Sequence, residues 1–112
     1  MILIPGCQFG FEDGRIISYH AEPFKLVVNY EFWNEQIGKL IFEGLVGVRD
    51  MSAIRVTVSA VTEKQQSELV KMLIGRRFEH APNELHWRHF QFLDLDDQPM
   101  FDVVADSCSF SG

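Results

Sequence analysis

The sequence predicts an α+β fold dominated by β-structure: an antiparallel sheet of about six to eight strands, with one helix over residues 62–75 packed on it. Three observations lead there. Apolar and polar residues alternate along residues 24–32, 39–48 and 54–59, turn residues punctuate these runs, and one segment alone switches to helical spacing behind a capping signal. With 112 residues, the chain has the size of a single domain, residues 1–112, able to bury one core.

Taken in order, Ile2-Leu3-Ile4 is a short β-type run ended by the turn pair Pro5-Gly6. Glu12-Asp13-Gly14 is a stronger turn signal, because Asp-Gly suits a tight hairpin, and residues 7–11 and 15–21 read as the short strands it joins. Pro23 breaks the pattern. Phe24, Leu26, Val28, Tyr30 and Phe32 then share one face of a strand, with Lys25, Asn29 and Glu31 on the other. A loop beginning at Asn34-Glu35 and closed by Gly38 leads to a run with Leu40, Phe42, Val46 and Val48 on one face and Glu43 opposite. Two such runs joined by a few residues make a hairpin. Ile54, Val56 and Val58 mark a further strand.

Thr62-Glu63-Lys64-Gln65 has the form of a capping box, and Leu69, Val70 and Leu73 follow as an apolar stripe at helical spacing. Gly75 suits the helix C-terminus, and Arg76-Arg77 suits its carbonyl end. After a loop at residues 80–83, a last hairpin is expected: residues 84–95, a turn at Asp96-Asp97-Gln98-Pro99, and a strand over residues 100–105. Ten Phe in the chain point to an aromatic-rich core.

Charge bounds the partners. The net charge is −6, and the stretch from His89 to Gly112 holds Asp94, Asp96, Asp97, Asp102 and Asp106 with no Lys or Arg. A field of one sign repels nucleic acid and anionic membrane and favours basic proteins. Arg76-Arg77 is the only adjacent basic pair, so phosphate-backbone binding is not expected. No apolar run approaches the ~20 residues that span a bilayer, and the N-terminus lacks the basic start of a signal peptide. A cytoplasmic protein is therefore expected. Cys7 and Cys108 would meet only if the terminal strands are neighbours, and two reduced thiols are the expectation.

No catalytic motif emerges. His86 and His89 would point to opposite faces of a strand, which prevents them from chelating one metal together. Asp94-Leu95-Asp96-Asp97 resembles the opening of a calcium loop, but Pro99 stands where the loop needs Gly, and no Glu closes it. Neither metal nor cofactor is expected. The acidic hairpin reads either as a docking face or as a charged guard that keeps an edge strand from pairing.

Phe11-Glu12-Asp13-Gly14-Arg15-Ile16-Ile17-Ser18, the run Leu26–Trp33, Lys39-Leu40-Ile41-Phe42-Glu43-Gly44 and the closing strand Met100–Ala105 together resemble a recurrent small bacterial pattern. Some chains of that pattern are similar to immunity proteins that neutralise toxins of contact-dependent or polymorphic systems. Glu12 stands where the pattern often carries His. The resemblance implies a non-enzymatic protein that blocks a basic, nuclease-type toxin. The expected partner-binding residues are Glu31, Glu43, Asp94, Asp96, Asp97 and Asp102, with Trp87 or Trp33 as an aromatic anchor. The alternative is a structural module that homodimerises through a sheet edge.

Overall fold

A computed structural model describes residues 10–65 and 88–111. They form nine strands: β1 Gly14–Glu22, β2 Lys25–Glu31, β3 Ile37–Glu43, β4 Gly47–Asp50, β5 Thr57–Val58, β6 Ala60–Gln65, β7 Arg88–Leu93, β8 Pro99–Ala105 and β9 Ser107–Ser111. Two antiparallel sheets result, with strand orders β5-β1-β2-β3-β9 and β4-β8-β7-β6.

Three pieces of chain serve both sheets. β3 runs into β4 at Gly44, β5 into β6 at Ser59, and β8 into β9 at Asp106. Following hydrogen-bonded neighbours from β1 through β2, β3/β4, β9/β8, β7 and β6/β5 leads back to β1, so the sheets close as a barrel-like sandwich with strands switching layers at corners. The corner at Gly44 is tight. Its φ is +65°, the Asp106 amide donates to the Glu43 and Gly44 carbonyls, and a Cβ on Gly44 would collide with the Asp106 side chain.

Between the layers lies the aromatic core that the Phe content predicts. Leu26, Val28, Tyr30 and Phe32 of β2 and its extension are buried, as are Leu40 and Phe42 of β3. Rings meet across the gap: Tyr30 with Phe92 (centroids 6.2 Å apart), Phe42 with Phe90 (5.2 Å) and Tyr19 with Phe101 (5.2 Å). Burying such rings supplies much of the folding free energy, and each edge-to-face pair adds about 0.5–1.5 kcal/mol.

The hairpin of β2 and β3 forms as the alternation predicts, its loop tied by the Phe32 amide donating to the Gln36 carbonyl and the Glu35 amide donating to the Phe32 carbonyl. Several expectations are corrected. Thr62-Glu63-Lys64-Gln65 does not open a helix: it belongs to β6 and pairs with β7, Val61 facing Phe92 in the core. A capping box works only when the following amides lack partners, whereas here the backbone is committed to a ladder. No helix occurs among the described residues, and residues 66–75 of the expected helix lie outside them. β1 pairs with β2 through the two-residue turn Pro23-Phe24, so Pro23 is the hairpin turn itself. Phe24, at φ +66°, is exposed rather than inward. The strand expected at residues 54–59 shrinks to β5, because Arg55 takes a positive φ and Ser59 turns the corner. Ile2–Ile4, Cys7, His80 and His86 lie outside the described residues. Among the described residues, no helix is long and apolar enough to cross a membrane.

Candidate functional site

The acidic residues of the last hairpin separate into three environments. The turn between β7 and β8 presents the first. Asp94 accepts the amides of Asp96 and Gln98 through one carboxylate oxygen, which shapes the turn, and Asp97 sits at φ +58°. Asp96 and Asp97 are exposed, Asp97 also accepting a hydrogen bond from the Ser59 hydroxyl at 3.2 Å. Leu95 between them and Asp94 is 68% exposed. The loop after β4 flanks this end of the second sheet through the Met51 amide on the Met100 carbonyl, and Met51 is itself 60% exposed. Carboxylates and apolar side chains thus share one rim. The loop also carries Arg55, whose amide binds the Ile16 carbonyl of the first sheet.

Asp102 is in the second environment, fully buried in the middle of β8. The register aligns Arg49 of β4 with Asp102, Asp102 with Gln91 of β7, and Gln91 with Thr62 of β6, a polar row crossing all four strands of the second sheet. One carboxylate oxygen accepts from His89 Nε2 (2.6 Å) and Gln91 Nε2 (3.1 Å), and the other accepts from Arg49 Nε and Nη2 (both 3.1 Å). An ionised carboxylate only accepts, which places a proton on His89 Nε2. Burial would raise the Asp102 pKa. The hydrogen bonds from His89, Gln91 and Arg49, with the Arg49 charge, outweigh it and hold the group below the ordinary Asp value. Asp102 is saturated with partners and withdrawn from solvent, so it does not belong with the surface carboxylates. At the far end of the row, the buried Thr62 hydroxyl has no hydrogen-bond partner among the described residues.

The third environment is the corner at the other end of β8. Asp106 is exposed there, beside Glu43. The length of β8 puts roughly 20 Å between this corner and the 94–98 turn. Glu43 pairs in register with Lys25, and Glu31, at the opposite end of β2, holds Arg15 at 2.6 Å. The expected acidic face is therefore dispersed: Asp94, Asp96 and Asp97 stay together, Glu31 is ion-paired, Glu43 stands at a distant corner, and Asp102 is inside. Trp33 is 64% exposed in the β2–β3 loop, and Trp87 lies outside the described residues.

Sequence reasoning missed Arg49, His89 and Gln91 as the company of Asp102. The signal was present in part: His89 and Gln91 alternate with Phe90 and Phe92, which puts two polar groups on one face of a strand. Nothing in that alternation says that the polar face is also buried. Cys108 is buried in the core of the first sheet. Tyr19 donates to Asp50 at 2.8 Å, and its hydroxyl is held above its ordinary pKa by that bond, by burial and by the Asp50 charge. Among the described residues, no three of His, Cys, Asp and Glu gather as a metal ligand set.

The class these features define is an antiparallel two-sheet β protein with a buried carboxylate network and an acidic–apolar rim. Comparison with protein-family models, with curated proteins and with solved structures finds no match to this chain.

Proposed function

We propose that the protein is a non-enzymatic binding protein of the cytoplasm that occludes a basic protein partner, in the manner of an immunity protein covering a nuclease-type toxin. One observation carries this reading: the 94–98 turn holds Asp96 and Asp97 outward with exposed Leu95 between them and Asp94, and exposed Met51 on the flanking loop. Carboxylates steer a basic surface into contact, and the apolar side chains lose water when it arrives. Inhibition would be steric and electrostatic, without turnover.

The test takes as partner a basic, nuclease-type toxin domain, sought among the products of the genes beside this one. Its association with the wild type and with an Asp96→Lys/Asp97→Asn variant is followed by stopped flow at low and high salt. Asn tolerates the positive φ at position 97, so the turn survives. The variant is expected to associate about tenfold more slowly at low salt, the gap closing at high salt. Equal rates at both salt concentrations would remove the turn from the interface. A stable homodimer that buries the turn and takes no basic partner would favour the alternative, a module pairing with its own copy.

A further inference from the structure

The outer face of the first sheet carries a second polar row, remote from the β7–β8 turn. The register aligns Ser18 of β1 with Asn29 of β2, Asn29 with Lys39 of β3, and Lys39 with Ser111 of β9. Cross-strand partners share a face, so the four side chains stand side by side. Asn29, Ile37, Gly38, Lys39 and Ser111 line a depression of about 230 Å³ on this row.

The depression's chemistry is unusual for a chain of net charge −6. Lys39 is exposed and has no ion-pair partner among the described residues. Its acidic neighbour on this face, Glu31, is aligned with Ile37 and taken by Arg15. Glu22, Lys25 and Glu43 form a separate row at the far end of the same strands. The Ser111 hydroxyl adds a donor, and Asn29 keeps a second N–H beyond the one given to Ser18 at 2.8 Å. Ile37, 58% exposed, supplies an apolar wall. An ammonium, a hydroxyl and an amide around one small hollow suit an anion. The apolar wall selects an anion carried on an aliphatic group, and the volume, below the ~300 Å³ of ordinary ligand pockets, admits only one small group.

We propose that this depression binds a carboxylate flanked by an aliphatic side chain, with Lys39 as its counter-ion and Ile37 as the apolar contact. The carboxylate could belong to a free short-chain acid or to the C-terminus of a peptide, and the probes separate the two. Isobutyrate, acetyl-Ala-Ala-Leu and the C-terminal amide of that peptide are each titrated into the isotopically labelled protein, and backbone amide shifts are followed by NMR. Saturable shifts at Gly38, Lys39 and Ser111 are expected with the acids, and affinity at least about tenfold weaker with the amide and with the Lys39→Gln variant. Tighter binding of the peptide acid than of isobutyrate assigns the site to a chain terminus, and the reverse assigns it to a free acid. Absence of saturable shifts with both acids, equal binding of acid and amide, or full binding by Lys39→Gln would overturn the proposal. This result is independent of the basic-partner reading, which concerns the other sheet.

Discussion

Asp102 and Asp97 belong to the same hairpin and carry the same charge, yet they do opposite work. Asp102, in the strand, is fully buried and accepts hydrogen bonds from His89, Gln91 and Arg49. Asp97, in the turn, is exposed and shares its carboxylate only with Ser59 among the described contacts. Removing a carboxylate from water costs several kcal/mol, and only a full set of donors offsets it. Leaving one in water costs little and projects a field. The first is therefore tied to folding and the second to encounter. A charge count along the chain cannot tell them apart.

The comparison breaks most visibly at Asp102. Asp102→Ala leaves buried His89 and Gln91 without their acceptor, while half-exposed Arg49 turns to water, and unfolding in urea is expected to show a loss of about 2–4 kcal/mol. A loss comparable to that of an exposed site would mean that the network contributes no stability.

Acid sharpens the same point. Because Asp102 titrates below its ordinary value when folded, the unfolded chain takes up its proton first as pH falls. The stabilisation is complete above the unfolded value, near pH ~4, and is lost as pH drops through the folded one. Urea midpoints measured from pH 6 downward should fall more steeply for the wild type than for Asp102→Asn, which lacks this proton linkage. Parallel curves would contradict it.

At the end of the polar row the sign reverses. The buried Thr62 hydroxyl has no partner among the described residues, so Thr62→Val, nearly isosteric and suited to a strand, should stabilise the protein by about 1 kcal/mol. A destabilisation of that size would show that the hydroxyl has a partner in solution. The smallest effect belongs to the turn: Asp96→Lys should shift stability by no more than about 0.5 kcal/mol while changing the salt dependence of partner association. A large stability change there would place Asp96 with Asp102 as a folding residue.

Much of the fold was legible because alternation reports sidedness directly. Leu26, Val28, Tyr30 and Phe32 lie inward as their spacing requires, and the β7–β8 hairpin turns within the predicted acidic stretch. The expected helix start failed at residues 62–65 because a local capping signal yields to a ladder with β7, which no local pattern encodes. β9 was missed altogether: Ser107–Ser111 alternates, with Cys108 and Phe110 turned to the core, but two apolar residues among three serines are too short a signal to separate from a loop, and its strand character comes from pairing with β3. At the candidate rim, the turn chemistry of residues 94–98 was readable, but the arrival of Met51 beside it depends on the register of β4 against β8.

The sequence by itself determined the β-dominated character, the aromatic inward faces and the charge of the last hairpin, because side-chain period and composition are local properties. Only the tertiary structure decided which aspartates meet water. β8 is buried on both faces, so its outer position at Asp102 becomes interior once β4 and β7 bring Arg49, His89 and Gln91 around it. Burial is a property of what packs against a strand, and neither the alternation along that strand nor its charge specifies the neighbour.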